Sequence, residues 1–260
     1  MRKRQGYKIA ILILAIAIII ETAFVIYLLA TKPKKVPKIP TARGKIAIVL
    51  DDWGYNLNNL PILEQIKYPL TASILPNLDH SRTLAAALDK RGIEVILHLP
   101  MEPREKLRLE KNTILTNMDE QAIRDIVNQD LNDIPYAKGV SNHMGSKASE
   151  DLRVMSIVFS ELKQRGLFFL DSLVSSKSVC SHLANKMHLG FARRDVFLDN
   201  KNEAGYIRQQ IYKLKARARA YGQAVGIGHD RRVTLEVLKE VMPELEKQGY
   251  RFVFVSELVK

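Results

Sequence analysis

Five short stretches carry the side chains of metal-assisted hydrolysis: Asp51 and Asp52 in IAIVLDDWG, His98 in EVILHLPME, His143 in GVSNHMGS, Asp171 in LFFLDS and His229 in AVGIGHD. One carboxylate with two imidazoles is a common three-ligand set for a catalytic Zn²⁺ and leaves a position for water. Such an ion brings the water's pKa down to ~7, and a nearby carboxylate can then remove its proton. A further histidine can protonate the leaving group. This is equipment for hydrolysing an amide or an ester. Taken singly, each stretch has a plainer reading. Asp51-Asp52 suits a turn or helix cap, His98 a satisfied rim histidine, and Asn142-His143-Met144-Gly145-Ser146 an ordinary turn. Gly226 and Gly228 beside His229 would let a ligand approach the backbone. What favours a site is the shared position, since every stretch closes a strand-length apolar run. His80, His182 and His188 fall in helical or loop stretches and read as structural, and Cys180 reads as a small buried apolar residue. Trp53 and Tyr55 suit either stacking on a sugar ring or core packing.

The elements that hold these residues alternate. Strand-length apolar runs lie at 46–50, 70–75, 93–97, 139–142, 167–170, 223–227 and 252–255, with a weaker one near 190–192. Helical patterns lie between them near 58–66, 80–91, 119–132, 149–165, 203–221 and 233–248. Gly92, Gly166, Gly222 and Gly249 each sit where a helix gives way to a strand, the position that takes a left-handed conformation. Asp79, Asn117 and Ser149 are expected as N-caps. Repeated βα units imply a parallel sheet covered by helices. Seven or eight units suggest a closed or nearly closed barrel, with a doubly wound open sheet as the alternative. A strand buried on both faces emerges at its last residue, so the five stretches would converge on one mouth.

The chain has 260 residues and a net charge of +12, but the excess is local. Residues 1–45 hold ten Lys/Arg and one acid, Glu21; the rest holds thirty and twenty-seven. A nucleic-acid-binding domain is therefore not expected. The 47% hydrophobic content excludes disorder, and a single cysteine excludes a disulfide framework. Residues 9–30 are apolar apart from Glu21 and Thr22, long enough to cross a hydrocarbon core of ~30 Å. Basic residues 1–8 favour a cytoplasmic N-terminus. An uncleaved anchor is expected, with a cleavable signal peptide as the alternative. Residues 31–44, with three prolines and four lysines, read as a stiff linker, and 45–260 as one exported domain.

The order LDDWG, LHLPMEP, SNHMGS, FLDS, RRDVFLDN and GIGHDR resembles the divergent polysaccharide deacetylases, relatives of the carbohydrate-esterase deacetylases, across about residues 45–258. The resemblance implies a distorted seven-stranded β/α barrel. It implies Asp51 as general base, Asp52 and His98 as metal ligands, His229 as general acid, and Asp171 as the carboxylate that orients His229. The broader family has a second histidine four residues after the first, where this chain has Glu102. His143 would restore the Asp-His-His set, with Glu102 as alternative ligand or supporting group. The family's base-steadying arginine is missing from strand four; Arg193 or Arg194 would substitute. Asn142, Asp195 and Asp199 are expected at the rim or facing substrate.

The resulting expectation is a Zn²⁺-dependent hydrolase that removes acetyl groups from an N- or O-acetylated envelope polysaccharide. Co²⁺, Fe²⁺ or Ni²⁺ would also suit the ligands. The expected setting is a bacterial-type inner membrane, with the domain on the extracytoplasmic side and no nucleic-acid partner. The alternative is a non-catalytic glycan- or partner-binding protein on the same fold. A glycosidase fits the paired carboxylates but not three rim histidines.

Overall fold

The computed structural model describes residues 2–30 and 43–260, which include a helix, Arg2–Ala30 (α1), and a separate α/β unit. The 31–44 linker lies outside the described residues except for its last two positions. Helix α1 is apolar and long enough to cross a membrane over Gly6–Leu28. Within it Thr22 Oγ1 returns a hydrogen bond to the Ile18 carbonyl at 2.8 Å, which satisfies the hydroxyl locally.

The α/β unit is one sheet in which every pairing is parallel. Its strands are β1 (Gly44–Trp53), β2 (Thr71–Ile74), β3 (Glu94–Met101), β4 (Gly139–Met144), β5 (Phe168–Asp171), β6 (Phe191–Arg193), β7 (Val196–Phe197), β8 (Gln223–His229) and β9 (Tyr250–Val253). The path runs β6-β5-β4-β3-β2-β1-β8-β7. β6 and β7 do not pair, so the curled sheet is a barrel open along one seam. One edge of β1 is shared, its first half by β9 and its second by β2. Helices follow most strands: α2 (Leu60–Leu63), α3 (Ser81–Lys90), α4 (Glu120–Asp133), α5 (Leu152–Gln164), α6 (Cys180–Met187), α7 (Ala204–Tyr221) and α8 (Arg232–Lys247).

All seven expected strands and the weak eighth are present; β7 and α6 are additions. The four glycines are left-handed, with φ between 67° and 91°. The expected caps are corrected: Asp119 caps α4 by accepting from Ala122 N, and Asp151 caps α5 by accepting from Val154 N. Asp79 lies one residue before His80, which holds the cap position of α3 without a side-chain cap bond, and Asn117 lies two residues before Asp119. Ser149 lies inside a short 3₁₀ turn.

Strand alternation divides the core in two. Ile46, Ile48 and Leu50 of β1 pack with Val95, Leu97 and Leu99 of β3 against the helices. Ala47, Val49, Ile96, Phe168, Leu170, Val225 and Ile227 fill the barrel interior with Val253, Val255 and Leu258. This parity decides which strand-end side chains face the mouth. Asp51, His98, His143 and His229 continue the inward rows; Asp171 continues the outward row of Phe169.

Candidate metal centre and acid–base groups

Asp51 and Asp52 end β1 at an irregularity in its pairing with β2, between Leu50 and Trp53. There Asp52 takes φ 65°, a left-handed conformation that costs a non-glycine residue ~1–2 kcal/mol. The kink turns Asp52 out of its outward row and into the mouth. Strict alternation would have separated the two carboxylates. Instead both reach one imidazole: His98 Nε2 lies 3.4 Å from Asp52 Oδ1 and 3.7 Å from Asp51 Oδ2.

His98 is fixed from behind. Its Nδ1 is 2.8 Å from Ser141 Oγ, which is 2.7 Å from Ser73 Oγ, so Nε2 is the nitrogen offered to the cup. His143 approaches from β4 with Nδ1 3.1 Å from Asp52 Oδ1 and its ring edge-on to His98 at 4.9 Å. Asn142 sets that turn, donating from Nδ2 to the Met144 carbonyl at 2.7 Å and accepting from Ser172 N at 2.9 Å. Asn142 thus supports His143 rather than facing substrate.

Ligand atoms of Asp52, His98 and His143 lie within 4.8 Å of one another. Asp51 Oδ1 and His143 Nε2 are buried without hydrogen-bond partners, and Asp52 Oδ1 meets only the two imidazoles. Orphaned buried acceptors are costly, and a cation would satisfy them. One carboxylate and two imidazoles fit a divalent transition metal. Burial works to raise the Asp52 carboxyl, but hydrogen bonding to His143 and His98 overrides it and holds the group well below the usual carboxylate range. Burial raises the Asp51 carboxyl, with His98 pulling the other way.

Across the cup, His229 stands directly beside Asp51 in the β1–β8 register. Its carboxylate partner is Asp199, which reverses the expectation for Asp171. Asp199 Oδ1 is 2.7 Å from His229 Nδ1, while Oδ2 accepts from His229 N at 2.9 Å and Thr234 Oγ1 at 2.7 Å. Burial opposes charging of His229, but the hydrogen bond and charge of Asp199 dominate and raise its pKa. Asp171 is turned to the other side of the sheet, accepting from Ser178 Oγ and Leu173 N, both at 2.7 Å. Gly226 and Gly228 make room for packing rather than for a ligand: a Cβ on Gly226 would meet Leu214 Cδ2 at 2.5 Å, and one on Gly228 would meet Thr234 Cγ2 at 3.0 Å.

The remaining expected groups are engaged elsewhere. Glu102 accepts from Thr116 N at 2.6 Å, Thr116 Oγ1 at 2.7 Å and Lys147 Nζ at 2.7 Å, so its carboxylate ties two loops and is not in the ligand set. Arg194 donates to the Ser172 and Leu173 carbonyls and lies 3.7 Å over the Phe197 ring, which stacks near His229 at 6.1 Å. Arg193 lines a cavity at the seam. Asp195 accepts from Val225 N, four residues before the rim at ~3.3 Å per residue, and so lies outside the cup. Trp53 is buried in the core, whereas Tyr55 is half exposed and donates to Glu110 at 2.5 Å. Cys180 is buried, with its thiol pushed up to about 12 by burial.

Residues 48–259 match the divergent polysaccharide deacetylase family. The chain is 35% identical over 206 residues to the uncharacterized protein YibQ of Escherichia coli (strain K12), covering 79% of this chain and 65% of that one. This chain therefore spans just under two thirds of that relative. Among solved structures it resembles the uncharacterized protein ATU2773 of Agrobacterium tumefaciens C58, with TM-score 0.78, 22% identity and 84% and 93% of the two chains covered. It also resembles a CE4 family pseudoenzyme from Bacillus anthracis, with TM-score 0.53, 14% identity and coverage of 84% and 66%. These likenesses are of fold. The motifs in their order, the matched span and the curled parallel sheet lead to one assignment: the chain belongs to the divergent polysaccharide deacetylases.

Proposed function

We propose that the protein is a metal-dependent deacetylase of an acetylated envelope polysaccharide. The observation that carries this reading is the convergence of Asp52, His98 and His143 beside Asp51 and His229. Those three residues would hold a divalent cation, Zn²⁺ by preference. When bound, it supplies a Lewis acid that polarises the acetyl carbonyl and acidifies water. The chain's own groups do the rest. Asp51, whose Oδ1 is unpartnered, takes the proton of the attacking water. Asp199 holds Nδ1 of His229, so Nε2 presents a proton to the departing sugar nitrogen or oxygen. Asn142 and the Ser73–Ser141 pair keep His143 and His98 in place. Helix α1 would anchor the chain in the inner membrane, with the basic first residues inside and the hydrolytic unit among envelope glycans.

A second reading, a glycan-binding protein without turnover, draws on Glu102 standing where the broader family has a histidine and on the pseudoenzyme neighbour. The full chain, loaded with Zn²⁺ and offered N-acetylated and O-acetylated glycans, separates the two. Acetate release that disappears in Asp51→Asn and His229→Ala, with metal retained, supports the hydrolase. Full metal loading with no acetate from any glycan supports the binding protein.

A further inference from the structure

The open seam of the barrel carries features that the hydrolytic cup does not use. Between the unpaired edges of β6 and β8 lies a cavity of about 660 Å³, bounded by Arg193, Arg217, Tyr221, Gln223 and Lys260. A second cavity, of about 710 Å³, lies along β7 and α7 and includes Arg194, Phe197, Asn200, Gln210 and Lys213. Both cavities are lined by Asp195, Arg217 and Tyr221, so they adjoin along the seam as two parts of one groove-like surface.

Its chemistry is one-sided. Among the described residues, Arg193, Lys213, Arg217 and Lys260 make no ion pair, whereas Arg208 on the same helix pairs with Glu240. The one acid of the lining, Asp195, has an oxygen committed to Val225 N. Helix α7 carries five Lys/Arg and no Asp or Glu. Gln210, Lys213, Arg217 and Tyr221 recur at helical spacing of three and four, so they form a single stripe. Gln210, only 6% exposed as a residue, lines the groove. The Tyr221 ring, 69% exposed, has the Arg217 guanidinium 5.7 Å from its centroid.

We infer that this groove binds an acidic oligosaccharide. The free cations would meet oxyanions on the sugar, the Gln210 and Asn200 amides its hydroxyls, and Tyr221 the apolar face of a ring. The interleaving of amides and an aromatic ring with the cations favours a saccharide over a bare polyanion. At its upper end the groove reaches Phe197, the ring beside His229. Only this link to the cup rests on the hydrolase reading. The binding itself does not.

The test is equilibrium binding of octagalacturonate to the full chain in detergent, in ~0.15 M salt, where loose surface attraction is screened. Arg217→Glu and Arg219→Glu make the same charge change two residues apart, and Arg219 lines neither cavity. The expected result is saturable binding that weakens ~10-fold or more in Arg217→Glu and stays within ~3-fold in Arg219→Glu, since lost charge-assisted contacts are local. Gln210→Ala should weaken it too. No binding, or equal weakening by both charge reversals, overturns the proposal. Octaglutamate or octaphosphate binding as tightly as the sugar overturns the saccharide assignment. No readout here requires metal or turnover, so failure of this inference and failure of the hydrolase reading are separate results.

Discussion

Replacing Asp199 with Asn changes one atom and removes one charge from beneath His229. The carboxylate now accepts from His229 Nδ1, His229 N and Thr234 Oγ1, at 2.7, 2.9 and 2.7 Å. The amide can keep one of these oxygens as an acceptor but cannot stabilise an imidazolium by charge. A hydrogen bond to a charged group contributes ~1.5–3 kcal/mol. At 1.36 kcal/mol per pKa unit, His229 should titrate ~1–2 units lower in Asp199→Asn. The pH window follows from the directions. The His229 pKa is raised above its ordinary 6.5, so its contribution to stability is full below that pH and is lost as pH rises through the folded value. Burial pushes Asp199 up, but the His229 bond and charge outweigh it and lower the carboxyl below its ordinary 3.8. Its contribution is present above that pH and is lost as pH falls through the folded value. The pair thus stabilises the fold between these limits, and the variant should lose that advantage, by ~1.5–3 kcal/mol near pH 6. The assays are imidazole titration by NMR, and urea unfolding followed by Trp53, the single tryptophan of the chain. An unmoved His229 titration in Asp199→Asn, or a shift produced by Asp171→Asn instead, would refute the reasoning.

Asp130 is buried, its Oδ1 accepts from Asn77 and Asn112, its Oδ2 has no partner, and burial lifts its pKa to about 6. Because the folded value is raised, stability falls as pH climbs from about 4 through 6; Asp130→Asn should gain ~1–3 kcal/mol at pH 7.5 and nothing below pH 4, read by urea unfolding. Glu102→Ala should cost ~1–3 kcal/mol by freeing Thr116 and Lys147, yet leave the metal content of the chain unchanged. Gly44→Ala places a Cβ 2.4 Å from the Ala218 carbonyl oxygen, a backbone atom that cannot step aside, and should cost ~1–3 kcal/mol in the same assay.

The βα repeat was legible because each helix end and strand run is a local signal: Gly92, Gly166, Gly222 and Gly249 stop helices through their own φ. Strand-end placement also brings Asp51, Asp52, His98, His143 and His229 to one mouth. The outward turn of Asp171 is carried by its parity with Phe169, which packs outward against helices. Asp199 was harder. It follows β7, whose two residues are too few to show a period, and its contact with His229 depends on the β7–β8 register. Asp52 reaches the mouth against the alternation rule, because a left-handed residue at an irregular strand end escapes that rule. Ser73 and Ser141 left no signal at all, since a buried serine on a strand looks like any small residue until its neighbours are placed.

The most direct test of the metal centre is the metal content of the purified full chain and its variants, by elemental analysis after exposure to Zn²⁺ and exhaustive dialysis. About one equivalent per chain is expected, falling close to zero in Asp52→Ala, His98→Ala and His143→Ala and unchanged in Glu102→Ala, as a three-ligand Asp-His-His site requires. Full metal retention by His143→Ala, or its loss in Glu102→Ala with the fold intact, would contradict the account.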